Sequence, residues 1–209
     1  MSIEIRPTTA VADFATVVSG LLDQVSYDEM VLLTDRKQLD LVTELLTVQT
    51  RLAGVVHTVL GAVDRAEAAM TAHGIPTVSW LAAELRYARG QASAMVRHAE
   101  DLHRFTQIGD ALRDGLANDR QVQAISQVLK KLPTDLDPNA ETAAQATMVG
   151  YCDQFNSHEL AGLSRHLLEV VAPEVAEETE AKRQERDLRD AQRNRHVTFT
   201  DNGHGSTIG

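Results

Sequence analysis

Apolar residues recur at three- and four-residue steps along most of the chain, the spacing that gathers one face of an α-helix. Val11, Phe14, Val17, Val18, Leu21 and Leu22 predict a first helix over residues 8–25, with Thr8 or Thr9 as its cap. Ser26-Tyr27-Asp28-Glu29 has the form of a capping box, so a helix restarts near Ser26. From Asp35 to Met70 the positions Leu39, Val42, Leu45, Leu52, Val56, Val59, Val63, Ala66 and Met70 make a wide stripe. This predicts one helix of roughly 36 residues and about 54 Å. A helix so long wants a partner along its length, either the helices that follow or a second copy of the chain. Gln49 interrupts the stripe as a polar register point.

His73-Gly74-Ile75-Pro76 stops that helix, because glycine suits the position just past a helix end and proline resists continuation. Two short helix-turn-helix units follow in tandem from Thr77 to Lys131. In the first, Thr77–Leu85 is a helix with Trp80, Leu81 and Leu85 inward, and a turn through Arg86–Arg89 leads to a second helix. There Ala92, Met95 or Val96, Ala99 and Leu102 mark the buried face, leaving Gln91, Ala94, Arg97, His98 and Asp101 outward. In the second unit Ile108–Asp114 is a helix, Gly115 ends it and Asn118 caps the next, which buries Val122, Ile125, Val128 and Leu129. Arg120, Gln121, Lys130 and Lys131 point outward in this reading.

Past Pro133 the run TDLDPN is a turn, and residues 139–153 and 157–171 each read as a helix, the second capped by Ser157. Residues 173–195 carry charge on every face, glutamates early and Lys182, Arg183, Arg186, Arg189, Arg193 and Arg195 late, an order that suits a solvated helix and its dipole. The end, HVTFTDNGHGSTIG, alternates as a strand, turns at Asp201-Asn202-Gly203 and begins a second strand. The fold class is therefore all-α: a multi-helix bundle with one long helix, a tandem helix-turn-helix-like centre and a short C-terminal β-hairpin. Three regions follow: 1–72 with the N-terminal helices, 73–172 as a helical core, and 173–209 with the charged helix and incomplete hairpin.

Charge separates the centre from its flanks. Residues 71–132 hold eight Lys and Arg against six Asp and Glu, whereas residues 1–70 hold five against ten and residues 133–209 seven against fourteen. A net charge of −10 argues against a protein that coats nucleic acid non-specifically, so only a local patch is expected to face phosphates. A short helix, a tight turn and a helix with Arg and Gln near its start suit a major groove. Arg89, Gln91 and Arg97 are the expected groove contacts, the outward Arg120, Gln121, Lys130 and Lys131 are placed to touch phosphates, and Arg86 belongs to the same expected DNA-binding set.

The glycine turn into TVSWLAAELRYARGQASAMVRHAEDL, then ALRDGLANDRQVQAI, the KKLP stop, HELAGLSRHLLEVVAP, a basic stretch and HVTFTDNGHGSTIG together resemble the actinobacterial 13E12-repeat family, a domain of unknown function that commonly precedes an HNH endonuclease domain. The resemblance runs from about Ser26 to the end and lies in the order and spacing of these elements. Residues 80–128 are also similar to the helix-turn-helix region of ParB-type partition proteins. Ala88 stands where the family usually has a capping Ser or Thr. The resemblance implies DNA binding, with nuclease activity belonging to an HNH unit whose paired histidines this chain does not match.

Catalytic chemistry is otherwise absent from the sequence pattern. His57, His73, His98, His103, His158, His166, His196 and His204 show no metal-ligand spacing, so no metal site, cofactor or catalytic residue is expected. Cys152, the single cysteine, sits on an apolar helical stretch and reads as a buried structural thiol. It leaves no route to an intrachain disulfide, which suits a reducing cytoplasm. Trp80 reads as a core anchor, and Gly203 as a hairpin residue instead of part of a phosphate loop. No basic and apolar leader opens the chain, and no stretch approaches the roughly 18 apolar residues of a membrane span. The expected partners are duplex DNA, a second copy through the long helix, or a separate chain bearing the HNH unit. A membrane is not expected. The rival reading is a helical protein-protein interaction scaffold without DNA binding.

Overall fold

The computed structural model describes residues 10–133, 136–171, 173, 177, 185, 187–193, 200–201 and 207–208. The described chain is all-α apart from one short strand pair. Its helices are α1 (Ala10–Leu22), α2 (Tyr27–Val31), α3 (Asp35–Arg65), α4 (Ala68–His73), α5 (Thr77–Glu84), α6 (Arg89–Arg104), α7 (Thr106–Asp114), α8 (Asp119–Leu129), α9 (Pro138–Gly150), α10 (Ser157–Gly162) and α11 (Ser164–Val171). Packing divides the chain into residues 1–46 and residues 47–209.

In residues 1–46, α2 restarts after Ser26 as the sequence predicts, but the Ser26 side chain makes no cap hydrogen bond, so the expected capping box does not form. The turn into α3 is held instead by Gln38, whose Nε2 donates to the carbonyls of Leu33 at 3.2 Å and Met30 at 3.4 Å. The caps expected at Thr8 or Thr9 lie outside the described residues.

The predicted 36-residue helix is divided. α3 ends at Arg65, and Glu67 adopts φ 49, a left-handed conformation from which α4 starts again. Side-chain periodicity does not register one left-handed residue, because Leu60 before the break and Ala69 after it are both buried. Gly74 then closes α4 at φ 70, as expected. By length and composition α3 could cross a membrane, with a window of mean hydropathy 1.2, contrary to the expectation that no stretch comes near it. Its Gly54, His57, Leu60 and Gly61 are nevertheless buried within residues 47–209.

Two apolar clusters organise residues 47–209. Leu60 of α3, Leu81 of α5 and Ala92 and Ala99 of α6 form the smaller one, with Val78, Trp80, Met95 and Val96 against it. Trp80 is thus a core anchor, stacked on His73 with ring centroids 6.4 Å apart. Leu85, predicted inward, is 53% exposed because α5 stops at Glu84. The larger cluster joins Leu102, Phe105, Ile108, Leu112, Val122, Ile125, Val128, Leu129, Met148, Leu160 and Leu167 across α6 to α11. Cys152 belongs to it, as expected of a structural thiol.

α10 and α11 correct the sequence reading in detail, while residues 187–193 are helical within the charged stretch as expected. The single helix expected over residues 157–171 is two, α10 and α11, and Asn156 caps the first in place of Ser157. Asn156 Oδ1 accepts from the backbone of His158 at 2.9 Å and Glu159 at 3.1 Å, and Glu159 reaches back to the Asn156 N–H at 2.8 Å. Thr200 and Asp201 pair antiparallel with Ile208 and Thr207, the two strands expected of the hairpin. The turn through Asn202 and Gly203, and most of the charged helix expected over residues 173–195, lie outside the described residues.

Candidate functional site

α5 and α6 are joined by a short turn in which Arg86 sits at φ 60, a left-handed conformation that costs an ordinary residue roughly 1–2 kcal/mol. The turn closes where the Tyr87 N–H donates to the Leu81 carbonyl at 3.4 Å. Ala88 then leads α6 with no side-chain acceptor to offer, so only half of a capping box exists: Gln91 Oε1 accepts from the Ala88 N–H at 3.4 Å. Gln91 remains exposed, as do Arg86, Arg89 and Arg97, while Ala92, Ala99 and Leu102 are buried. Arg97 Nη1 donates to Ser93 Oγ at 2.7 Å, one turn earlier on the same helix. The four α5–α6 residues singled out from the sequence are therefore all exposed, but only Arg89 and Arg97 share one side of α6, and Gln91 lies on the bearing of the buried Leu102, exposed because it is in the first turn.

The second unit is more deeply engaged with the core than its sequence suggests. Gly115 ends α7 at φ 80, and Asn118 caps α8 with a reciprocal box: its Oδ1 accepts from Gln121 N at 3.0 Å, and Gln121 Oε1 accepts from Asn118 N at 3.0 Å. The rest of Gln121 is spoken for. Its Nε2 donates to the carbonyls of Cys152 at 2.7 Å and Phe155 at 2.9 Å, so Gln121 is buried where an outward side chain was expected. Arg120 and Lys131 are exposed as predicted. Lys130 is committed to Asp101 through a 2.6 Å ion pair that joins α8 to α6.

A third group was missed. His98, expected outward, is 7% exposed and turns under α6 toward His57 of α3 and Asp119, the first residue of α8. Asp119 Oδ1 lies 3.1 Å from His98 Nε2 and 3.5 Å from His57 Nε2, and the two imidazoles meet edge to face with centroids 4.6 Å apart. The other carboxylate oxygen, Oδ2, accepts from Gln123 Nε2 at 2.7 Å. His57 and then His98 hold the Asp119 carboxyl well below the ordinary carboxylate range, outweighing the opposing effect of burial. Among the described residues, His57 Nδ1 is buried without a hydrogen-bond partner.

The sequence carries a faint signal of this group. His57 falls three residues after Gly54 and before Leu60, and His98 three after Met95 and four before Leu102, so each lies on the stripe that becomes buried. Eight histidines without local spacing gave no reason to pair these two, since their meeting depends on α3 crossing α6. Beside them a cavity of about 210 Å³ is lined by His57, Thr58, Arg65, His103, Thr106 and Arg113, among others.

Compared with known families, residues 39–205 match one described as a domain of unknown function, DUF222. No curated protein and no solved structure matches the chain.

Proposed function

The chain belongs to the DUF222 family, matched over residues 39–205, and from that premise we propose that it is a non-catalytic DNA-binding module. The observation that carries this reading is the exposed side of α6 that holds Arg89 and Arg97, with Gln91 also exposed in the first turn of the helix. A helix with Arg and Gln at its start, set off by a tight turn from a shorter helix, fits a helix-turn-helix entering a major groove. Arg86 supports the same reading. A non-glycine residue held in a left-handed turn is a local cost, and such costs gather at functional positions. Lys130 contributes less than its sequence position suggests, because Asp101 already neutralises it. The resemblance to 13E12-repeat proteins adds an association with HNH nucleases, in which this chain would target and a separate HNH unit would cut.

Fluorescence anisotropy with a labelled duplex at low salt tests the proposal. Binding to arbitrary sequence is expected in the range of about 10⁻⁴–10⁻⁶ M at physiological salt and tighter at low salt, with a shallow salt slope because few cations are available. The double variant Arg89→Ala, Arg97→Ala should weaken it at every salt concentration. No anisotropy change at low salt, or an unchanged double variant, would remove the DNA reading.

A second reading rests on α3 within residues 47–209, where Val48, Val56 and Val59 lie on one side of the helix and are each about half exposed. Apolar side chains at helical spacing with so much accessible surface support a helical interaction face. Light scattering over a concentration series separates the readings, since a monomer at all concentrations removes pairing of this chain with itself.

A further inference from the structure

We propose that His57, His98 and Asp119 form a binding site for a first-row divalent cation of the zinc type, clasping α3, α6 and α8 together. Three helices distant in sequence each deliver one donor, and the two imidazole Nε2 atoms approach the same carboxylate oxygen, at 3.1 Å and 3.5 Å. All three donor atoms lie within 4.8 Å of one another. A tetrahedral centre with bonds of about 2.0–2.2 Å has ligand-to-ligand edges of about 3.3–3.6 Å, and of the two Asp119 spacings the one to His57 falls within that range and the one to His98 slightly short of it. Two neutral imidazoles and one carboxylate are a donor set that suits zinc and its neighbours, and three protein ligands leave the fourth place to water.

His57 provides an independent reason. Among the described residues the one polar approach to its Nε2 is the 3.5 Å separation from Asp119, at the edge of hydrogen-bond range. A buried imidazole satisfied so poorly is costly, and a cation between the three donors would engage the Nε2 lone pair directly. The carboxylate is already oriented for this task. Gln123 donates to Asp119 Oδ2 at 2.7 Å, leaving Oδ1 to face the two rings, which is the outer-shell arrangement that fixes a ligating carboxylate. Asp119 is also one residue past the Asn118 cap, so the start of α8 is held firmly in place.

The full chain, stripped with chelator and dialysed, should take up one equivalent of Zn²⁺ with a Kd in the micromolar range or tighter, read by calorimetry. Co²⁺ in its place should give the visible d–d absorption of a low-coordinate site. The variants His57→Gln and Asp119→Asn, checked for native helicity by circular dichroism, should each lower Zn²⁺ affinity at least tenfold. The wild-type titration stands even where a variant fails to fold: no stoichiometric Zn²⁺ uptake, or a Co²⁺ spectrum no different from the aqueous ion, overturns the proposal. So does full-affinity binding by a folded His57→Gln, His98→Gln double variant, which would place the cation on other histidines.

Discussion

Gly54 of α3 lies against the backbone of Arg113 in α7: a Cβ on Gly54 would stand 2.9 Å from the Arg113 nitrogen and 3.0 Å from its Cα. Backbone atoms cannot move aside as a side-chain tip can. Gly54→Ala should therefore destabilise the fold by about 1–3 kcal/mol through overpacking, partly offset by the roughly 1 kcal/mol that alanine gains in a helix interior. Urea unfolding measures the difference. A variant more stable than wild type would mean that α3 and α7 are not in such close contact.

Gln121 serves two carbonyls and a helix cap at once. In Gln121→Leu the Cys152 and Phe155 carbonyls lose their donor, at about 1–3 kcal/mol for each group left buried and unpaired. Gln121→Glu keeps the shape but has no N–H to donate, so it should be similarly unstable at neutral pH. Wild-type stability in the glutamate variant would show that solvent reaches these carbonyls.

Asn118 and Ala88 occupy equivalent places before α8 and α6, and only Asn118 has a side-chain acceptor. Asn118→Ala should cost about 0.5–2 kcal/mol, and Ala88→Ser should add stability of the same order. Thermal midpoints of the two variants, moving in opposite directions, check the comparison.

Arg86→Gly should relieve the left-handed penalty of roughly 1–2 kcal/mol and raise the thermal midpoint. If Arg86 also touches phosphate, the same variant should bind duplex DNA less tightly. Greater stability with weaker binding is the combined signature, and a variant that loses stability would contradict the strain argued for this turn.

Cys152 is pushed up to about 11 from an ordinary value of 9.0, first by burial and then by the Asp153 carboxylate. Because the folded value lies above the unfolded one, the associated stability is complete below pH 9 and is lost as pH rises through about 11. In this window wild type should lose stability faster than Cys152→Ala, by up to ~1.4 kcal/mol for each pH unit. At pH 8 the thiol should also react slowly with a disulfide reagent until the protein is unfolded. Rapid native-state labelling would show an exposed thiol.

The helical pattern was legible from the chain because each helix after the first repeats a local rule. Ala92, Ala99 and Leu102 on α6, and Val122, Ile125, Val128 and Leu129 on α8, are buried where their spacing places them. Gly74 and Gly115 end helices in left-handed conformations, as glycine permits. Failures occurred where the deciding interaction was not local. Glu67 breaks the long stripe without a glycine or proline to announce it. His98 and Gln121 lie at positions that become buried although both are polar, and whether such a residue turns in depends on the polar partners that packing brings beside it.

Local spacing and turn chemistry were thus enough to determine an all-α chain, most of its helix ends, its buried thiol and the exposed basic side of α6, because each of these depends on neighbours within a few residues. The tertiary structure alone decided that Gln121 reaches the carbonyls after α9, that Lys130 is neutralised by Asp101, and that His57, His98 and Asp119 converge. Those pairings join residues 21 to 62 positions apart, and only the crossing of packed helices brings such distant groups within a few ångströms.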